Sequence, residues 1–457
     1  MSTEFVILAG GQGTRMRSSL PKVLHEVGGR PLLAHVLSTV KDLGSEKIHV
    51  VVGAGRDLVC ERFEGAAVNW VVQEEQRGTG HAVAQALPHI DPQCAVIVLY
   101  GDVPMVRGST LQALAKAASA GELAIVTARV TDPSGLGRIV RDGEGRMRTI
   151  VEERDADRSQ LEIDEINGGI MGAPASLFHR WVPELRPANA QQEYYLTDLV
   201  RLASRDGVAI QTVHPEFEEE VWGVNSRQEL ARLERAYQRR AAESLMCEGA
   251  TLRDPARLDV RGEISVGEDV QIDVNVVLEG TVTLASRAAI GPNCVVRDSV
   301  IEEDAQILAG SVIDGAHVGR DCRVGPFARL RPGTVLAAGV QVGNFVEAKN
   351  AIIGSGTKAN HLAYIGDAEI GSGCNVGAGT ITCNYDGAEK HRTKMGDDVF
   401  IGSNATLVAP IEVGDGAFVA AGSTTTKAVP PGTLAVARGR QRNIEGWKRP
   451  KDRDEEG

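Results

Sequence analysis

The sequence is short of aromatic side chains: Phe, Trp and Tyr make up 4% of its 457 residues. That scarcity excludes a core built on stacked rings, so burial has to come from aliphatic side chains packed closely. No apolar run approaches the ~20 residues of a membrane-spanning helix. The opening MSTEFVILAGGQGTRM has no basic segment ahead of its brief apolar run, so a secretory signal is not expected either. The seven cysteines, at positions 60, 94, 247, 294, 322, 374 and 383, are odd in number and never spaced as CxxC. Neither a zinc site nor a disulfide framework is expected, and the thiols read as free in a reducing, cytoplasmic setting. Positive charge is in deficit, 49 Lys+Arg against 61 Asp+Glu for a net −12. Such a surface repels a phosphate backbone or an anionic membrane, yet leaves room for a local cationic pocket.

Glycine stands where aromatics do not: 52 residues, about 11% against a usual ~7%. With 42% hydrophobic and 24% charged residues the chain reads as folded, and its length as two or three domains. Residues 1–225 alternate apolar runs, FVIL (5–8), KIHVVV (47–52) and AVIVLY (95–100), with segments of helical spacing at 32–43 and 80–87. This predicts a Rossmann-like α/β domain with a mostly parallel sheet covered on both faces, and ligands just beyond the strands' carboxyl ends. Residues 226–248 predict a linker helix, with Leu230, Leu233, Tyr237 and Ala241 at three- and four-residue spacing.

Over residues 249–457, C-terminal tail included, the period becomes six. Val266, Ile272, Leu278, Leu284, Ile290 and Val296 form one series, and Val318, Val324, Leu330, Leu336 and Val342 another. Glycine directly follows many of the aliphatic residues, as at Gly291, Gly319 and Gly402, and the fourth residue on is small, as at Ala288, Cys294 and Ala405. Six-residue units predict a parallel β-helix, with the aliphatic and small residues inward and glycine supplying the bends. The repeat resembles the left-handed hexapeptide β-helix of the acyltransferase superfamily, whose members commonly pack as trimers.

Two stretches carry chemistry. In LAGGQGTRM (8–16), bare backbone at a strand end can approach phosphate, and Arg15 and Lys22 place two cations beside the turn. It is neither a Walker A loop nor a GxGxxG fingerprint. Asp102, in YGDVP after the third apolar run, is placed to hold Mg²⁺, although alone it would read as an N-cap. Gln73, Gly78 and Thr79 offer amide and hydroxyl groups to a base and ribose.

Together these segments resemble the sugar-1-phosphate nucleotidylyltransferase (pyrophosphorylase) family, and the likeness continues through GLGRIV, IVEE, EIN and GVN. The resemblance implies that Leu8, Ala9, Gly10, Gly11, Tyr100 and Gly101 line a UTP site and that Gln73, Gly78 and Thr79 read the base. It implies that Gly137, Glu152 and Asn167 hold the sugar, that Asp102 and Asn225 hold the metal, and that Arg15 and Lys22 neutralise phosphates. Gln12 and Gly168 depart from the family's frequent Lys and Thr.

The β-helix carries GPFARLRPG (325–333), NFVEAKN (344–350), HLAYIGD (361–367) and NVGAGTITCNYDG (375–387), then an interruption, AEKHRTK (388–394). A structural β-helix needs none of their polar groups. His361, with Glu347, Lys349, Tyr364 and Asn375 on neighbouring coils, suits acyl transfer to an amine, with an imidazole base oriented by a carboxylate. Lys390, Arg392 and Lys394 in the interruption, and ARGRQR (437–442), suit the phosphates of coenzyme A.

Over its entire length the chain resembles the bacterial bifunctional N-acetylglucosamine-1-phosphate uridylyltransferase / glucosamine-1-phosphate N-acetyltransferase family. The resemblance implies that His361 is the general base and Glu347 its helper, and that Arg331, Lys349, Tyr364 and Asn375 bind glucosamine 1-phosphate. It places acetyl-CoA on Ala378, Ser403, Ala421 and Arg438, with Asn384 and Tyr385 between the two ligands. It further implies Mg²⁺, a homotrimer with the acetyl-transfer site between subunits, and UDP-N-acetylglucosamine for peptidoglycan and lipopolysaccharide precursors as product. Two alternatives stay open: a single-activity nucleotidylyltransferase with a structural or regulatory β-helix, and a non-catalytic sugar-nucleotide-binding scaffold.

Overall fold

The computed structural model describes residues 1–45, 47–447 and 449; positions 448 and 450–457 of the tail lie outside the described residues. It divides into two compact units, Met1–Arg240 and Ala241–Gly457.

Among the described residues of the first unit, nine strands form one sheet. They are β1 (Thr3–Leu8), β2 (Ile48–Val52), β3 (Asn69–Val72), β4 (Ala95–Tyr100), β5 (Leu123–Arg129), β6 (Arg138–Arg141), β7 (Met147–Val151), β8 (Glu165–Pro174) and β9 (Ile210–Val213). The path runs β9-β5-β8-β4-β1-β2-β3, with the β6–β7 hairpin attached to β8. The expected parallel pairs are present: Leu8 registers with Val51 on β2 and with Tyr100 on β4. The loops after β1, β3 and β4 therefore open at one edge of the sheet, which is the expected place for a site.

The sheet is less parallel than the sequence suggests, because β8 runs antiparallel between β4 and β5. It is buried along most of its length, and a strand covered on both faces has the same near-continuous apolar pattern in either direction. The reversal matters for the site. Met171 faces Val98, so the chain upstream of it carries Asn167 to the carboxyl end of β4.

Helix α1 (Leu32–Asp42) buries Leu32, Leu33, Val36, Leu37 and Val40, the stripe its spacing predicts. A shorter helix, α2 (Thr79–Ala86), follows Gly78, whose φ of 105° few side chains tolerate. Helix α3 (Gly108–Ser119) covers β4, β5 and β8. Helix α4 (Arg227–Cys247) belongs to both units, since the boundary falls after Arg240. Leu233 is buried in the first unit, and Ala242 and Leu245 in the second. Ser226 accepts a hydrogen bond from the Glu229 amide (3.2 Å), and Glu229 accepts one from the Ser226 amide (3.1 Å), a reciprocal cap that starts this helix.

The second unit is a parallel β-helix whose coils repeat every 17 or 18 residues. Aliphatic side chains stack in columns along its bore. One column runs Ile272, Ile290, Ile307, Val324, Val342, and another Leu278, Val296, Ile313, Leu330. All nine of these side chains are buried, as are Ala288, Cys294 and Ala405 in the small positions. Each such Ile, Leu or Val contributes about 1.5–3 kcal/mol of burial. Val266, at the first turn, is only half-buried. The described cysteines are all free, and burial pushes the Cys322 thiol up to about 11.

Glycine's role here differs from the expectation. The bends fall three residues after the aliphatic position, where the left-handed backbone conformation is adopted by Asp269, Asn275, Asn293, Asp304 and Asp321, or by Gly310 and Gly356. The glycine directly after the aliphatic residue has an ordinary φ at Gly267, Gly291, Gly319, Gly343 and Gly402, though not at Gly325 (φ 104°). A Cβ on Gly319 would lie 2.6 Å from the Leu336 carbonyl oxygen, and one on Gly402 would strike the Ala421 amide nitrogen. These glycines let one coil lie against the next; they do not turn the chain.

Candidate functional sites

A cavity of about 470 Å³ opens where β1, β3 and β4 end, lined by Leu8, Ala9, Gly10, Gly11, Lys22, Gln73, Gly78, Thr79, Tyr100 and Asp102. These are sequence-predicted residues, brought together by strand register. Gly101 lies beside it, donating its amide to the Leu8 carbonyl. At the cavity's edge the Lys22 ammonium forms an ion pair with the Asp102 carboxylate and donates to Asn225 Oδ1 at 3.2 Å. Asn225 is held from below, its amide donating to Glu229, the acid of the α4 cap. Two oxygen donors thus already converge on one cation. Arg15 is exposed and makes no side-chain hydrogen bond or ion pair among the described residues.

Gly137, Glu152 and Asn167 form a second cluster. The Asn167 amide donates to the Gly137 carbonyl (2.8 Å), and a Cβ on Gly137 would meet Glu152 Oε1 at 3.3 Å. Burial pushes the Glu152 carboxyl above the usual range, with a long hydrogen bond from Thr197 (3.4 Å) opposing it. Gly168 has no room for a side chain, since Val221 and Val126 crowd its position.

The sequence reading missed the segment that closes the cavity's far side. Glu193 lines it, the Tyr194 carbonyl accepts from the Gly80 amide (2.8 Å), and the Leu196 amide donates to Thr79 Oγ1 (3.0 Å). Gln76 and His81 were also missed; their positions in QEEQRGTGH, around Gln73 and Gly78, were the available signal.

On the β-helix the predicted set divides at a corner. Phe345 and Leu362, stacked on successive coils, take left-handed φ values of 57° and 47°. Asn344 and His361 precede that corner; Glu347 and Tyr364 follow it, as neighbours on the next face. Within one chain, His361 Nδ1 meets Asn344 Oδ1 at 3.0 Å, while the Glu347 carboxylate accepts from Arg331 at 2.8 Å. Within one chain the imidazole's hydrogen-bond partner is therefore an amide oxygen, and Glu347 is paired with Arg331. Asn375 shares the His361 sheet, registered with Lys358.

Lys390, expected at the coenzyme A phosphates, lies beside Lys349, one of the residues expected at the phosphosugar. Its ammonium beside Lys349 pulls the Lys349 pKa below the ordinary lysine value. Burial pushes the Asp367 carboxyl up, but donors from Asn350 and Asn384, with Lys349 and Lys390 nearby, hold it below the usual range. Arg392 is paired with Glu369. Tyr385 donates to the Gly387 carbonyl at 2.6 Å. Ala378, Ser403 and Ala421 stack on three successive coils, linked by the Asn404 amide to the Ala378 carbonyl (2.7 Å) and the Gly422 amide to the Ser403 carbonyl (2.8 Å). Arg438 caps the column, donating to the Ala421 carbonyl at 2.7 Å.

Family models match three segments: a MobA-like NTP transferase domain over residues 5–245, a GMPPB C-terminal domain over 260–353, and the six-repeat bacterial transferase hexapeptide over 392–427. The chain is 55% identical over 446 residues to the bifunctional protein GlmU of Marinobacter nauticus, covering 98% of each. It is 56% identical over 450 residues to GlmU of Stutzerimonas stutzeri, covering 98% of this chain and 99% of that one. GlmU of Azotobacter vinelandii is 55% identical with the same coverage.

Proposed function

This chain belongs to the bifunctional GlmU family, and on that premise we propose that its two sites carry out consecutive transfers on one amino-sugar phosphate. The β-helix site acetylates glucosamine 1-phosphate with acetyl-CoA. The α/β site then joins the product to UTP, giving UDP-N-acetylglucosamine and pyrophosphate.

In the first transfer the amine nitrogen attacks the thioester carbonyl; a C–N bond forms, the C–S bond breaks, and the thiolate leaves. Asn344 accepts from Nδ1–H of His361, so the lone pair stays on Nε2, which takes the amine's proton as general base. Arg331, Lys349, Tyr364 and Asn375 hold the phosphosugar. Ala378, Ser403, Ala421 and Arg438 hold acetyl-CoA, with Asn384 and Tyr385 where the ligands meet. The small residues suit the pantetheine arm, which needs a shallow track. Lys349 and Lys390 support a phosphate there, since two adjacent ammonium groups favour a shared anion.

In the second transfer an oxygen of N-acetylglucosamine 1-phosphate attacks the α-phosphorus of UTP, and the bond to the β-phosphate breaks. The nucleophile is already ionised, so no protein base is required. Arg15 and Lys22 neutralise the phosphates, the Gly10–Gly11 backbone lets them approach, and Gly137, Glu152 and Asn167 hold the sugar. The observation that carries this reading is the convergence of Asp102 and Asn225 oxygens on the Lys22 cation. One ionised and one neutral oxygen donor fit a hard divalent ion such as Mg²⁺. When bound, the ion would offset charge building on the triphosphate.

The working form is a homotrimer in the cytoplasm, with small molecules as the only partners. A large apolar column on the β-helix corner, Phe327, Phe345 and Leu362, each more than half exposed, supports packing against other copies. No described helix is long and apolar enough to cross a membrane.

The test is one coupled assay on the full chain with glucosamine 1-phosphate, acetyl-CoA, UTP and Mg²⁺, reading free thiol and pyrophosphate separately. Both are expected. Pyrophosphate from N-acetylglucosamine 1-phosphate without any thiol release from glucosamine 1-phosphate would leave the β-helix a structural element.

A further inference from the structure

The Gln73 side chain is 4% exposed, and its two amide ends are treated differently by the protein. The nitrogen Nε2 is doubly engaged, 3.3 Å from the Gly78 carbonyl oxygen and 3.0 Å from His81 Nδ1. The oxygen Oε1 has no hydrogen-bond partner among the described residues and faces the glycine turn, 3.3 Å from where a Cβ on Gly10 would lie. A carbonyl oxygen left unpaired at the wall of a cavity is aimed at a ligand donor.

The orientation of that amide follows from its partners. A backbone carbonyl only accepts, so the NH₂ end must face Gly78. His81 Nδ1 then has to be the unprotonated ring nitrogen. Gln85, one turn along α2, places its own nitrogen 3.3 Å from both His81 Nε2 and the His81 carbonyl. A neutral imidazole has a single lone pair; the shorter contact, to Gln73, takes it, while the Gln85 nitrogen is satisfied by the carbonyl. Flipping the Gln73 amide would set its oxygen against the Gly78 carbonyl, which is an acceptor in either tautomer of His81.

We infer that His81 is a positioning residue that sets base selection: its Nδ1 lone pair locks Gln73 with Oε1 presented to the nucleobase. This rests on the proposal that Gln73 reads the base. An outward acceptor matches the N3–H of uracil and opposes the bare N3 of cytosine, so the lock favours UTP over CTP. A site built to receive a hydrogen bond rejects the base that cannot supply it, because its own group is left unpaired.

The experiment measures kcat/KM for pyrophosphate release with UTP and with CTP, on full-length wild type, His81→Asn, His81→Leu, His81→Phe and Gln73→Leu. Thiol release from the acetyl-transfer reaction of the same preparations serves as the folding control. Asn carries an acceptor close to the position of Nδ1, so His81→Asn is expected to keep the UTP/CTP ratio within about threefold. Leu and Phe bring no acceptor at different volumes, and whichever folds is expected to lower the ratio at least about tenfold. The inference falls if both apolar variants keep the wild-type ratio while Gln73→Leu collapses it. It also falls if His81→Asn loses the ratio as fully as they do. A ratio unchanged in Gln73→Leu would instead remove the reading of Gln73 itself.

Discussion

The two sites are assembled by opposite means. In the α/β unit, strand register gathers residues from distant segments around one cavity: Lys22, Asp102 and Asn225 span some two hundred positions yet share one cation contact. On the β-helix, the predicted base and phosphosugar residues all lie between Arg331 and Asn375 and still divide at a corner, with an exposed His361 on one face and Glu347 on the next. An irregular sheet can fold loops over a ligand. A regular coil repeats its own geometry, so its polar groups stand in open rows, and in the proposed trimer another copy would supply the enclosure. The difference teaches that completeness within one chain is not a fair criterion for a site on a repeat.

The largest effects test whether the two sites are independent. His361→Ala should lower thiol release by about 10²–10⁴-fold, the usual range for losing a general base, and leave pyrophosphate release from N-acetylglucosamine 1-phosphate unchanged. Asp102→Ala should do the reverse, at least about 10²-fold. If either substitution suppressed both activities, the picture of two separately assembled sites would fail.

A second pair of substitutions sharpens the contrast on the stability side, through the two kinds of glycine. Gly319→Asn places a side chain against the Leu336 and Ala337 backbone and should destabilise the β-helix by about 1–3 kcal/mol or more in denaturant unfolding. Gly356→Asn, at a bend with φ of 69° and open space around it, should cost within about 0.5 kcal/mol, because Asn tolerates that conformation. Equal losses at both would mean that coil stacking is not what the first glycine serves.

The legibility of the sequence follows the same division. The β-helix interior was readable because Ile272, Leu278, Leu284 and Ile290 recur every six residues, and period survives in a string of letters. The reason for its glycines was not, since contact with the next coil lies 17 or 18 residues away. In the α/β unit several strands and the turn residues Gly10 and Asp102 were readable from apolar runs that end in glycine or polar residues, and Gln73 from its spacing to Gly78 and Thr79. The direction of β8 was hidden by burial on both faces, and the 193–196 segment by having no motif of its own. The Lys22–Asp102–Asn225 contact could be anticipated only through resemblance, because nothing local ties position 225 to position 22.

Smaller effects probe how the first cavity is supported. Ser226→Ala removes one half of the α4 cap and should cost about 1 kcal/mol of stability. Because Glu229 also holds the Asn225 amide, the same change should raise the Mg²⁺ concentration needed for half-maximal pyrophosphate release. An ordinary surface cap would shift stability alone.

The smallest effect lies in pH. The Glu152 carboxyl is raised in the folded protein, chiefly by burial, so the folded state holds its proton to higher pH than the unfolded chain does. Unfolding is then favoured as pH rises from the ordinary glutamate range through the raised value. At neutral pH the ionised, poorly solvated carboxylate weakens the α/β unit, a cost consistent with a group kept for its ligand. Glu152→Gln should therefore move the unfolding midpoint of this unit upward at pH 7, with the gain shrinking as pH falls toward 4 and the wild-type carboxyl becomes protonated in both states. It should at the same time raise KM for N-acetylglucosamine 1-phosphate. A variant that lost stability at pH 7 would show that hydrogen bonding by the ionised form, and not burial, governs this residue.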